Sequence, residues 1–315
     1  MGAFDGLRGG QISHGYWGPH TGTIDWCESN YSHTPYIAET YNTVTNIPVI
    51  LAGIYGALAT YFAGINKRYA VCYLGLSFIG IGSTGFHASL RWEWQLLDEL
   101  PMIYVVSYAA LMVLDTLPGF KPRYGIWGYL VLTAWCLFVT FSYLYLPNPV
   151  YHQVAFAAIL LGTTARNVTL IRRLPSAHPG RKLVTRYMAW GIFTFAAGFG
   201  IWNLDNIFCT YLRSWRELLG IWGFLLEGHA YWHLMTGFGS FWIFTAAIYL
   251  QLAIKVSPEA YTFDGNAWLP TVRPTVPAKS AVVVVDKKGE VVGTGETLVD
   301  VKEKSKEQDG KQNGH

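Results

Sequence analysis

Long apolar runs separated by short polar joints set the pattern of this chain. Seven mainly apolar stretches lie at about 43–64, 69–90, 96–115, 125–146, 150–171, 184–208 and 229–254. Each is long enough, as a helix, to cross the hydrocarbon core of a bilayer. The joints are charged or rich in Pro and Gly: Asn66-Lys67-Arg68, Arg91-Trp92-Glu93, Pro118 to Arg123, Pro147-Asn148-Pro149 and Arg172 to Lys182. Such residues end helices. The pattern predicts an all-α membrane protein, a seven-transmembrane helix bundle over 43–255. An N-terminal segment, 1–42, precedes it and a tail, 256–315, follows.

Basic residues give the bundle a direction, because cytosolic loops hold the excess of Lys and Arg. The N-terminal side carries Arg8, Arg91, Arg213 and Arg216. The other side carries Lys67, Arg68, Lys121, Arg123, Arg172, Arg173, Arg181, Lys182, Arg186 and Lys255. The N-terminus is therefore expected in a lumen and the C-terminus in the cytosol. Residues 1–24 hold no apolar core of signal-peptide length, so the first span is expected to direct insertion.

Composition agrees. Of 315 residues, 51% are hydrophobic and only 14% charged, and the charges crowd into the tail. That leaves too few to solvate a water-soluble body, and a net charge of +3 argues against a nucleic-acid binder. The tail carries Pro258, Pro270, Pro274 and Pro277 and a mixed-charge end from Lys287 to Lys311, a composition expected to be disordered. Within it, Ala281 to Val285 is apolar enough for a strand but has no obvious partner.

Of four cysteines, only Cys27 and Cys209 fall on the expected oxidising side. A Cys27–Cys209 bridge is the one pairing this topology permits; the alternative is two buried free thiols.

Ionisable groups inside spans are costly and mark function. Ser83 and His87 lie four apart in the second span, hence on one helix face. Asp98, followed by Glu99, opens the third. His229 and His233, again four apart, open the seventh, just after Glu227. Alternation of direction brings all of these to one end of the bundle. Three imidazoles from two helices match a tetrahedral Zn²⁺ site with one position open for water. The competing reading is a set of packing or hydrogen-bonding histidines, and Ser83 alone fits a bond to its own helix carbonyl. Asn42 and Asn46, and Asn203, Asp205 and Asn206, are read as interhelical hydrogen-bonding residues or helix ends.

A second cluster, Asp25, Glu28, Asn30 and Glu39, offers the hard oxygens Ca²⁺ prefers, but without EF-hand spacing. A solvated acidic segment is the simpler reading. Asn30-Tyr31-Ser32 is also a glycosylation sequon.

The motifs together resemble the alkaline ceramidases. They are Gly15-Tyr16-Trp17-Gly18-Pro19, Asp25 to Tyr31, Ile37-Ala38-Glu39, Asn42-Thr43 with Asn46, Gly82 to His87, Gln95 to Tyr104, Trp202 to Cys209, and His229-Ala230-Tyr231-Trp232-His233. The likeness runs over about 15–255 and leaves the tail out. It implies a seven-helix intramembrane amidase that cleaves ceramide to a sphingoid base and a fatty acid, in the endoplasmic reticulum or Golgi. It implies Zn²⁺ on His87, His229 and His233 with Asp98 and Ser83 beside it. It also implies Ca²⁺ on Asp25, Trp26 (through its carbonyl), Glu28, Asn30 and Glu39, and the Cys27–Cys209 bridge. On this reading Asp98 is the general base and Ser83 a donor to the oxyanion. Two other readings compete: a seven-span receptor of adiponectin- or progestin-receptor-like architecture, and a transporter relaying protons through Asp98, Asp205 and the histidines.

Overall fold

The computed structural model describes residues 15–275, 284–285 and 291–293. In chain order the helices are α1 (Thr40–Val44), α2 (Asn46–Phe62), α3 (Ala70–Ser89), α4 (Trp92–Leu114), α5 (Gly125–Tyr145), α6 (Pro149–Ile171), α7 (Pro179–Ile207), α8 (Cys209–Leu219) and α9 (Gly228–Lys255). Seven of these correspond to the seven predicted runs. Among the described residues, six apolar segments are long and apolar enough to cross a membrane; α7, bounded by basic residues at one end and by Asn203, Asp205 and Asn206 at the other, falls short of that measure. The chain is an integral membrane protein, and its outer surface shows it: Phe62, Ile126, Trp127, Val131 and Leu161 all face outward. In water that surface would be an aggregation site; in lipid it is solvated.

Local chemistry explains the joints. The first predicted span starts three residues early and breaks at Thr45. Pro48 has no N–H for the carbonyl of Val44, and its ring crowds that carbonyl, which favours a break there. Asn148 and His178 cap α6 and α7, each followed by proline at the first helical position, where the missing N–H costs nothing. Leu90 ends α3 in the left-handed region, φ 53°.

The packed interior runs between α2, α3, α7 and α9 around Val49, Leu76, Met188, Phe241 and Leu250. By contrast α5 buries only Val139 and Tyr143.

The disorder expected for 256–315 does not hold over its first twenty residues. Strands β1 (Tyr261–Gly265) and β2 (Pro270–Pro274) form an antiparallel hairpin with Phe263 opposite Val272. It folds back along α9. Phe263 stacks on Tyr249 at 4.6 Å, the Trp242 indole donates to the Trp268 carbonyl at 2.7 Å, and Val272 joins the core. Two of the four prolines that argued for disorder, Pro270 and Pro274, sit at the two ends of β2, where a strand tolerates them. Further on, Val284–Val285 pairs with Val291–Gly293, the partner that the sequence left unidentified. The remaining tail residues, and Arg8, lie outside the described residues.

Candidate metal centre

The site is assembled from the end of α3, the start of α4, the start of α9 and the segment before α2. His87, His229 and His233 are buried, and one nitrogen from each lies within 4.8 Å of the others. Ring centroids are 5.0 Å apart for His87–His229, 4.7 Å for His87–His233 and 4.6 Å for His229–His233.

Each ring is held from outside. His87 Nδ1 lies 2.5 Å from Glu39 Oε2; with Glu39 as the carboxylate acceptor, Nδ1 carries the proton and Nε2 is the lone-pair donor. His233 Nδ1 faces Thr45 Oγ1 at 3.1 Å and Asn46 Nδ2 at 3.4 Å. The His229 ring stacks on Trp26 at 4.3 Å. Buried His87 Nε2 and His229 Nδ1 have no hydrogen-bond partner. Two orphaned imidazole nitrogens at this depth are costly unless something binds them. This donor set suits a zinc-like cation, and a carboxylate on the far nitrogen is the usual way such a ligand is oriented.

Asp98 and Ser83 come together because of Gly82. A side chain at that position would strike the Leu97 carbonyl and the Asp98 amide, so only glycine lets α3 and α4 approach so closely. The Ser83 hydroxyl lies beside the Asp98 carboxylate and accepts from Asn46 Nδ2 at 3.1 Å. A polar chain therefore runs Asp98–Ser83–Asn46–His233. Of Asn42 and Asn46, read from sequence as interhelical hydrogen-bonding residues or helix ends, Asn46 makes such bonds onto Ser83 and His233, while Asn42 Nδ2 donates to Glu39 Oε2 at 3.3 Å at the start of its own helix.

The acidic segment is more dispersed. Asn30 Nδ2 donates to Asp25 Oδ1 at 3.1 Å. Glu28 accepts from the Tyr41 and Asn42 amides at 2.8 and 2.9 Å, so its carboxylate caps α1. Burial pushes the Glu28 carboxyl up to about 7; the Glu39 charge adds to this, and the two amides with Arg216 oppose it. Asn30 Oδ1 and Glu39 Oε1 are buried without partners. Cys27 and Cys209 are joined as a disulfide.

Sequence reasoning missed several supports. Glu39 was expected only as a calcium ligand, yet it orients His87. Asp205 accepts from the Gly228 amide at 3.2 Å and from Arg216 at 2.9 Å, while Glu227 meets the same guanidinium at 3.1 Å. This buried group anchors the start of the helix that carries two of the histidines. The i, i+4 spacing of Asn42 and Asn46 was the one available signal; the ionic partners are too far apart in sequence to be paired by inspection. A groove of about 600 Å³ between α3, α4 and α5, lined by Leu74, Phe78, Val105 and Leu137 among others, lies elsewhere. Phe78 is nine residues before His87, or about 13 Å along α3.

With this geometry in place, comparison with known proteins is decisive. A family model described as ceramidase matches residues 18–276. The chain belongs to the ceramidase family. Alkaline ceramidase 3 of Mus musculus is 37% identical over 250 residues, covering 77% of this chain and 90% of the relative. Alkaline ceramidase YPC1 of Saccharomyces cerevisiae is 34% identical, covering 76% and 79%. A putative alkaline ceramidase of Dictyostelium discoideum, dcd3A, is 30% identical, covering 73% and 86%. The matched span contains every residue of the histidine cluster and its supports, and the β1–β2 hairpin as well.

Proposed function

We propose that this ceramidase-family protein is a zinc-dependent intramembrane amidase that hydrolyses ceramide to a sphingoid base and a free fatty acid. Family membership carries the amide-hydrolase activity. The observation that supports the metal is the trio of converging, buried imidazoles, two of them with an unpartnered nitrogen. His87 Nε2, His229 Nδ1 and His233 Nε2 would hold the ion. Zinc there would supply Lewis acidity toward the amide carbonyl and bring the pKa of water toward ~7.

The chain's own groups do the rest. Asp98 takes the proton of the attacking water and returns it to the leaving amine, so that the C–N bond breaks with a neutral amine departing. Ser83, between Asp98 and Asn46, turns its hydroxyl to the developing oxyanion. Glu39 holds His87, and Thr45 with Asn46 holds His233, so the donor nitrogens face one point before substrate arrives.

Calcium is a supporting ion in this reading, on Asp25, the Trp26 carbonyl, Glu28, Asn30 and Glu39. The orphaned oxygens of Asn30 and Glu39 fit a cation. In this reading the N-terminus and the metal centre face the lumen and the tail the cytosol, the orientation that the basic-residue distribution supports, and the protein resides in the endoplasmic reticulum or Golgi.

Purified full-length protein is to be assayed on several ceramides with and without chelator, with elemental analysis of the same sample. The expected result is hydrolysis lost with the chelator, restored by zinc, and about one zinc per chain. Full hydrolysis by metal-free protein would overturn the zinc reading, and no hydrolysis of any ceramide by zinc-loaded protein would overturn the substrate.

A further inference from the structure

Helix α8 lies between α7 and α9, 11 residues long, about 16 Å and so too short to cross the ~30 Å hydrocarbon core. Its side chains divide into three sectors. With Cys209 as origin and about 100° per residue, Arg213 and Arg216 fall within about 40° of it. Thr210, Ser214 and Glu217 centre near 110°, and Tyr211, Trp215, Leu218 and Leu219 near 225°.

The first sector faces the protein. Cys209 is bridged to Cys27. Arg213 Nε and Arg216 Nη1 donate to the Cys27 carbonyl at 2.9 and 2.7 Å, and Arg216 continues to Asp205 and Glu227. The second sector is polar and exposed. The third is apolar and equally exposed: Leu218 is 83% accessible, and beyond it Ile221 is 85% accessible, with Trp215 and Trp222 alongside. A soluble helix turns its charges out and its leucines in. Here both arginines point inward and the large apolar groups outward.

The apolar sector continues a lipid-facing surface. Phe199, Leu204, Ile207 and Phe208, on and just after α7, face outward and lead directly into Tyr211. Polar and apolar exposed sectors, about a third of a turn apart, are what a helix needs when it lies in a bilayer surface with water on one side and acyl chains on the other.

We propose that α8 and the turn after it, Gly220–Leu226, form an in-plane membrane element at the histidine-bearing end of the bundle, whose partner is the acyl–headgroup boundary of the lipid. The element reaches the metal centre through two contacts. Arg213 and Arg216 hold the carbonyls of the Trp26–Glu28 segment, and Trp26 stacks on His229. The lipid surface thus sets the depth of the imidazoles.

The test uses full-length protein in phosphatidylcholine liposomes, with Cys72→Ala and Cys136→Ser removing the free thiols. Nitroxide labels go on Leu218→Cys and Glu217→Cys separately, with Tyr211→Cys and Thr210→Cys as a second adjacent pair. Collision with oxygen reports lipid and collision with a water-soluble nickel chelate reports solvent. The expected result is a several-fold higher oxygen-to-nickel ratio at 218 than at 217, repeated at 211 against 210. Equal nickel access within both pairs would overturn the proposal. So would a label at 218 shielded from both reagents, since that outcome means the face is covered by protein, such as a second copy of the chain.

Discussion

Two buried ionic clusters stand at opposite ends of α3, and they are built to different ends. Before its start, Arg68 pairs with Asp115 at 3.6 Å, and Lys255 from α9 pairs with the same carboxylate at 3.6 Å. Lys255 also donates to the Asp115 carbonyl at 2.9 Å, and the Arg123 amide takes the other carboxylate oxygen. Both oxygens of the acid are engaged, and the Arg68 guanidinium lies over the Tyr69 and Phe120 rings. At the far end of α3, His87 joins His229 and His233, where two imidazole nitrogens have no protein partner. A cluster whose acceptors are saturated, and whose unpartnered atom, Arg68 Nε, carries an N–H that cannot take a cation, ties helices together. An unsaturated one, held rigidly by groups behind it, is made for a ligand. Burial alone does not distinguish them; the count of open donor atoms does.

That contrast can be broken. The largest effect is expected for His229→Ala: bound zinc and ceramide turnover both fall to background while the protein still inserts. Elemental analysis beside an activity assay checks it, and retained stoichiometric zinc would remove the histidine centre from the argument. Asp98→Asn should lower kcat by roughly 10²–10⁴-fold with zinc still bound, the range for loss of a general base; a change in KM alone would assign Asp98 to substrate binding instead. Ser83→Ala should cost about 10²–10³-fold in kcat, as for loss of one oxyanion donor, and this is read from steady-state kinetics on a short-chain ceramide.

Two substitutions sharpen the contrast from its supports. Glu39→Gln keeps the shape and weakens the grip on His87, so zinc affinity should drop by about 10–100-fold, measured by competition with a chelator. Asp115→Asn, at the saturated end, should leave turnover per folded molecule unchanged. It removes the partner of two buried cations, a loss of about 3 kcal/mol in comparable pairs, and the thermal midpoint in detergent should fall. Lost turnover with an unchanged midpoint would show that the two ends do not divide as described.

Much of this molecule was legible in its sequence, for definable reasons. Long apolar runs and basic joints located the seven long helices, because a bilayer imposes length and composition on whatever spans it. Alternation of direction then brought His87, Asp98, His229 and His233 to one level, and the structure gathers the three imidazoles there. The same alternation left Cys27 and Cys209 as the one available pair, and they are bonded. The hairpin after α9 was hidden by its prolines, which read as disorder until their places at the strand ends are known. Helix α8 was hidden by its length: it reads as a loop because no bilayer-spanning run is present.

The sequence by itself determined the class of the protein and the end of the bundle at which its chemistry lies, since both follow from period and from the order of helices. Tertiary structure alone decided which groups hold which. Glu39 reaches His87 across 48 positions and Thr45 reaches His233 across 188. The approach at Gly82 depends on how α3 and α4 cross, and the Arg216 pairing with Asp205 and Glu227 depends on where α8 sits against the ends of α7 and α9. Such contacts are set by packing in three dimensions, and no local period records them.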